Sequence, residues 1–226
     1  MTDPAGHVPA GTTGRVAAVC VVAELVSDAG AVGVTAIDKR PVDGAVRVGP
    51  WGLYADVQAD RAHHGGHDQA LYLYDADEAE HWERELGRAV PPGHFGENLR
   101  VSGLPVDDLE IGARLRAGTA LLEVTAPRTP CATFERWIGV AGFRARFHER
   151  GRTGAYCRVL EPGTVGADDA VEVVSMPSHG ATVAAVFAGS RDADLARTLR
   201  GWSAVSGVPL HAEIVARFAR LLEAEA

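Results

Sequence analysis

Short apolar runs, separated by glycine, proline and aspartate, dominate most of the chain. The first follows Gly14, where Arg15-Val16-Ala17-Ala18-Val19-Cys20-Val21-Val22 has the length of a strand. Runs of the same kind predict strands over residues 45–48, 99–101, 113–116, 120–125, 155–160 and 170–174. Turn signals at Asp43-Gly44, Ser102-Gly103, Ala117-Gly118 and Glu161-Pro162-Gly163 punctuate them. Many short strands of this kind predict a closed, barrel-like β core. A helical period interrupts the pattern after Asp75, which caps, with Glu78 three residues later as a capping box. Ala79, Trp82 and Leu86 then form a stripe that ends at Gly87. A shorter helical stretch covers residues 132–138, directly after Pro130-Cys131.

Beyond Ser175-Met176-Pro177 the pattern becomes helical throughout. Val183, Val186 and Phe187 mark a first helix closed by Gly189, and Leu195, Leu199 and Trp202 a second closed near Gly207. Pro209, at a first-turn position, opens a third with Leu210, Ile214, Phe218, Leu221 and Leu222 on one face. The chain is therefore read as mainly β, of the α+β class. A loose leader (1–13) precedes a β-barrel domain (14–175) and a small three-helix domain (176–226).

Composition narrows the function. The 226 residues, 46% of them hydrophobic, are enough to bury a sizeable core. With 22 Lys+Arg against 30 Asp+Glu the net charge is −8, which disfavours nucleic acid or an anionic membrane as partner. The helical domain balances Arg against Asp and Glu, unlike a DNA-reading helix pair. No apolar window of about 18 residues predicts a membrane span. The first residues lack the basic start and apolar run of a signal peptide. Three cysteines without a CxxC pair exclude a disulfide framework and point to a reducing, cytoplasmic setting.

Of those thiols, Cys20 and Cys157 fall inside strand patterns. Cys131 instead follows Pro127-Arg128-Thr129-Pro130, where a helix begins and a nearby arginine adds positive charge. Such a place favours a thiolate, which is both nucleophile and soft metal ligand, although a small buried hydrophobe fits it as well. The second candidate segment is Asp56-Val57-Gln58-Ala59-Asp60-Arg61-Ala62-His63-His64-Gly65-Gly66-His67-Asp68. Its Gly pair can turn backbone N–H groups toward a phosphate or oxyanion beside Arg61 and His64. Zinc is disfavoured, because adjacent His63 and His64 cannot easily aim at one ion and no second ligand cluster follows. The bland alternative is a solvated loop whose polar side chains cap turns. In the third segment, Gly93-His94-Phe95-Gly96-Glu97-Asn98-Leu99, Asn98 has an amide to offer a polar ligand; taken alone the segment is a turn entering a strand.

Together these segments resemble the MOSC family (molybdenum-cofactor sulfurase C-terminal domain), in its YiiM-like branch. The matching stretches are Gly52-Leu53, Asp56 through Asp60, His63-His64-Gly65-Gly66, Asp68-Gln69-Ala70, Phe95 through Leu99 and Pro127 through Cys131. Arg152-Thr153-Gly154, Arg158 through Gly163 and His179 through Ala184 continue the match. The resemblance implies a MOSC-type β-barrel that binds molybdenum cofactor (molybdopterin), with Cys131 as sulfur ligand to the metal. It assigns the pterin and its phosphate to Arg61, His64, Gly65, Asn98 and Arg128. Neither pyridoxal phosphate nor zinc is implied. Related members reduce N-hydroxylated substrates such as hydroxylaminopurines with electrons from a separate donor protein. Asp56, Asp60 and His64 are the candidate proton donors to a small-molecule substrate. Two other roles compete: a sulfur carrier with a persulfide on Cys131, and a non-catalytic cofactor- or phosphate-binding module. The C-terminal helices are open to three roles, as cover for the barrel mouth, as a homodimer contact, or as the docking place of the electron donor; packing on one another is their default. The chain departs from the family at Ala55-Asp56, where Gly-Asp is usual, and at Ile111-Gly112-Ala113, where Ile-Gly-Asp is frequent.

Overall fold

A computed structural model of the chain describes residues 8–59, 65–189 and 192–224. Its organising element is β1 (Thr13–Ser27), long enough to pair with three partners in succession. Its start pairs with β11 (Ala170–Ser175), its middle with β6 (Leu99–Ser102), and its far end with β2 (Val34–Pro41). Between β11 and β6 the ring continues through β7 (Arg114–Ala117), β8 (Ala120–Pro127), β9 (Ala155–Glu161) and β5 (Leu71–Asp75). The β1–β11 pairing closes it into the expected barrel of seven strands, with β2 attached as a hairpin arm. All ring pairs are antiparallel except β5–β6. A parallel pair needs a crossover, and α1 (Ala76–Leu86) supplies it. A second small sheet joins β3 (Val46–Gly49), β4 (Gly52–Leu53) and β10 (Gly163–Val165).

The expected helices α1 and α2 (Ala132–Ile138) are present, and α3 (Phe143–Arg150) adds to them. The periodicity missed β2, β4, β5, β10 and α3. In β5 every residue is buried, so Leu71-Tyr72-Leu73-Tyr74 shows no polar alternation; Leu71 and Leu73 join one core while Tyr72 and Tyr74 join another. The expected capping box at α1 does not form. Asp75 caps alone, accepting from Asp77 N at 2.9 Å, while the Glu78 carboxylate accepts from Arg150 Nε at 2.8 Å.

The helices α4 (Val183–Ala188), α5 (Ala193–Ser206) and α6 (Ala212–Ala224) pack on the barrel rather than only on each other. Val183, Val186, Leu199, Ile214 and Phe218 belong to the same aliphatic core as the strands. Gly112, at φ +87°, is the close approach that admits this docking: a Cβ there would lie 2.1 Å from the Trp202 ring of α5. The third helix begins at Ala212, so Pro209 lies ahead of its first turn instead of inside it. At the other end, the expected leader is fastened from Val8 onward: Val8 is buried, and Gly11 N donates to Val173 O at 2.8 Å. No described helix is long and apolar enough to cross a membrane.

Candidate cofactor site

β8 delivers its chain end to a cavity of about 390 Å³. Arg128 N donates to Gly154 O at 3.1 Å, holding the exit of the strand against the segment before β9. Two residues on, Pro130 has no N–H, and Cys131 stands as the extended N-cap of α2 with φ −110°. Its side chain makes no capping bond to the helix, and its sulfur lies within electrostatic reach of Arg136 and Tyr156. Phe134 and Ile138 anchor α2 by entering an aromatic cluster. Among the described residues Cys131 is the one sulfur that lines the cavity. Cys20 and Cys157 are fully buried strand residues as expected; burial pushes the Cys20 thiol up to about 12 and the Cys157 thiol higher.

Arg128 lies above Phe134, its guanidinium carbon 3.9 Å from the ring centre, and 5.6 Å from that of Tyr72. The residue is only 6% exposed and pairs with no carboxylate among the described residues. Its Nη1 is buried with no hydrogen-bond partner. A buried guanidinium nitrogen without an acceptor costs free energy, on the order of a few kcal/mol, unless a ligand supplies one.

Asp56 also reaches the cavity, through an unusual backbone step. Ala55 adopts φ +68°, the left-handed region in which glycine is relaxed and alanine strained, so the departure from the usual Gly-Asp is a real conformational cost. The Asp56 carboxylate accepts from Val22 N at 2.9 Å and from Asn98 Nδ2 at 2.8 Å, and it forms a buried ion pair with Lys39. Asn98 Oδ1 accepts from Tyr72 N at 3.0 Å. The Asn98 amide, expected to face a ligand, is thus engaged at both ends by the protein and fixes the cavity wall. The sequence reading missed Lys39, because its strand β2 was missed; Ala36, Ile37 and Asp38 are buried in succession, so the strand shows no polar alternation, and the charged run Asp38-Lys39-Arg40 disguises it further.

The glycine segment is clamped by Gln58, whose Nε2 donates to Gln69 O at 3.1 Å and whose Oε1 accepts from Gly66 N at 2.8 Å. Gly65, half-buried, directly precedes the clamped Gly66; Asp60, Arg61 and His64 lie outside the described residues. Glu97, fully buried, accepts from Gly93 N and Phe95 N and so shapes the turn that brings Phe95 and Gly96 to the cavity. On the opposite rim Arg136 grips Asp28 through two bonds of 2.8 and 2.7 Å, holding the Asp28 carboxyl well below the usual range. At the second departure, Ala113 is fully buried, in a place where a carboxylate would have to be desolvated.

The structure is a closed seven-strand barrel with a docked helical unit and a cavity lined by one cysteine and by a buried arginine whose Nη1 has no partner. Residues 60–172 match the MOSC domain, and the chain belongs to that family, which is associated with molybdenum cofactor. The protein YflK of Bacillus subtilis is 37% identical over 149 residues, covering 66% of this chain and 67% of YflK. A protein named reductase from Gibberella moniliformis is 30% identical over 151 residues, 63% of this chain but 26% of its own length. The crystal structure of YiiM from Geobacillus stearothermophilus superposes with a TM-score of 0.75 at 25% identity, covering 92% of this chain and 99% of that one.

Proposed function

We propose that the chain is a molybdenum-cofactor-dependent reductase of N-hydroxylated compounds, with Cys131 as the metal's sulfur ligand. The observation that carries the reading is the buried, partnerless Nη1 of Arg128 on the cavity that Cys131 also lines. The residues present fit the group: a thiol for a soft ligand position and a buried cation for an anionic tail. The reductase-named relative is consistent with the chemistry. When bound, the cofactor supplies the two-electron chemistry that converts R–NHOH, two electrons and two protons into R–NH2 and water.

The protein's own residues bind and orient. Arg128, held over the rings of Tyr72 and Phe134, would donate to the anionic part of the cofactor. Asp56 is saturated by three N–H donors and acts as the hub that holds Lys39 and Asn98. That leaves Asp60 and His64, on the segment leading into Gly65, as the candidates to deliver a proton. Electrons come from a separate donor protein.

The test is purification from a cofactor-producing host, followed by metal and pterin analysis of the wild type and Cys131→Ala. Molybdenum and pterin in the wild type, with molybdenum lost from the variant, is the expected result. A wild type without either overturns the reading. So does a reducible gain of one sulfur on Cys131 in its place, which identifies a sulfur carrier.

A further inference from the structure

The segment entering α6 reaches the cavity wall at Gln69. It is fastened by Arg158, whose Nη2 donates to Pro209 O at 2.7 Å, and by His211, which is buried. His211 Nε2 lies 3.1 Å from Gln69 Nε2, and His211 Nδ1 lies 3.2 Å from the backbone nitrogen of Glu213. A backbone N–H only donates, so Nδ1 must be the bare nitrogen and Nε2 must carry the ring proton of the neutral imidazole. Burial holds His211 below the usual histidine range, which keeps that neutral form at pH 7. The Nε2–H in turn requires an acceptor, and the acceptor of a carboxamide is its oxygen. Both ends of a carboxamide have the same shape, so hydrogen-bond chemistry decides its orientation. That chemistry puts the Gln69 oxygen at the position facing His211 and the NH2 group at the other end, a position that is buried and has no partner in the protein.

Gln69 lines the same cavity as Arg128. An oxygen at the buried, unpartnered end of its carboxamide would repel an anion; an NH2 there attracts one. We propose that His211 is a positioning residue for this cavity: its Nε2–H fixes Gln69 so that the carboxamide presents an N–H donor to a bound oxyanion, alongside Arg128. The helical unit thereby sets the polarity of a wall it does not itself form. The proposal rests on reading the cavity as a site for an anionic group.

The imidazole makes two separable bonds, which gives a direct test. In His211→Gln the longer amide places an N–H donor near the position of Nε2; in His211→Asn the shorter one keeps an acceptor for Glu213 N but loses the donor to Gln69. Titrating the cofactor-free protein with inorganic phosphate and with molybdate by calorimetry should show His211→Gln within about threefold of wild type. His211→Asn should be weaker by about tenfold, or ~1.4 kcal/mol. Thermal unfolding of both variants identifies any that fail to fold. Gln69→Glu, which keeps the acceptor for His211 and removes the N–H donor, should weaken both ions by more than tenfold and serves if neither histidine variant folds. The reverse ranking, with asparagine like wild type and glutamine impaired, assigns His211 to helix capping alone and overturns the proposal. Equal affinities in wild type, His211→Asn and Gln69→Glu, or no oxyanion binding by wild type, overturn it as well. Because no cofactor is present, failure here leaves Cys131 ligation standing, and absence of molybdenum from the purified protein leaves this result standing.

Discussion

The barrel interior and the aromatic cluster beneath α1, α2 and α3 are both fully buried, yet they are built on opposite principles. Val16, Leu73, Leu99, Leu115 and Leu122 come from neighbouring strands and fill the barrel as aliphatic side chains. Tyr74, Trp82, Phe95, Phe134, Phe143 and Phe147 come from one strand, three helices and a turn. Their rings meet at specific angles, as in the edge-on approach of Phe134 to Phe147 at 4.9 Å and of Trp82 to Phe143 at 4.8 Å. Aliphatic packing secures the ring of strands; aromatic packing secures directions. The direction that matters is that of α2, because Phe134 both enters the cluster and supplies the face on which Arg128 lies. The candidate cavity is thus referenced to the aromatic side of the molecule.

The largest expected effect separates the two sides. Phe147→Ala and Leu122→Ala should each cost about 3–5 kcal/mol in urea unfolding, since both remove fully buried side chains. Only Phe147→Ala should also raise the rate at which iodoacetamide alkylates Cys131 under native conditions. An equal rise in Leu122→Ala would break the comparison. A second difference lies in buried charge. Asp107, beside the aromatic cluster, accepts from Gly154 N at 2.9 Å while its Oδ2 has no partner, and burial pushes its carboxyl from 3.8 up to about 7. The native state therefore holds a proton that the unfolded chain has already lost. Stability from this group is fully present below about pH 4 and declines as pH rises through 7. Asp107→Asn should remove that slope, matching wild type near pH 4. At pH 8 it should be more stable by up to about 4 kcal/mol, at 1.36 kcal/mol per pKa unit. Parallel denaturation curves across that range would refute it.

The same contrast explains what the sequence made legible. Strands of the barrel wall with turn residues at both ends, such as β6, β7 and β11, are visible as apolar runs. The aromatic core shares no period, since its buried rings are scattered over residues 72–147 and meet only in the fold. Cys131 stood out because proline and arginine mark its approach, and Arg128 beside it. Lys39 did not, because charged neighbours hide its strand, and the link from His211 to Gln69 spans 142 positions that no local pattern connects. Ala55 was noticed only as a departure from a family pattern; the positive φ shows why glycine is usual there.

The smallest effect on stability should come from the residue at the border of the two regions. Arg128→Met keeps an unbranched apolar stem over Phe134 and removes the guanidinium. The lost cation–π contact is worth on the order of 0.5–2 kcal/mol. Against it stands the desolvation of a buried charge that no described carboxylate neutralises, a penalty of the same size or larger. The two nearly cancel, so the variant should unfold within about 3 °C of wild type, or above it. Its phosphate and molybdate binding should nevertheless fall by more than tenfold. A residue kept for packing would show the opposite: a clear loss of melting temperature with oxyanion binding intact. That outcome would return Arg128 to the aromatic core and leave the cavity without its anion-holding cation, whereas retained stability with lost binding means that the buried charge is maintained for a ligand.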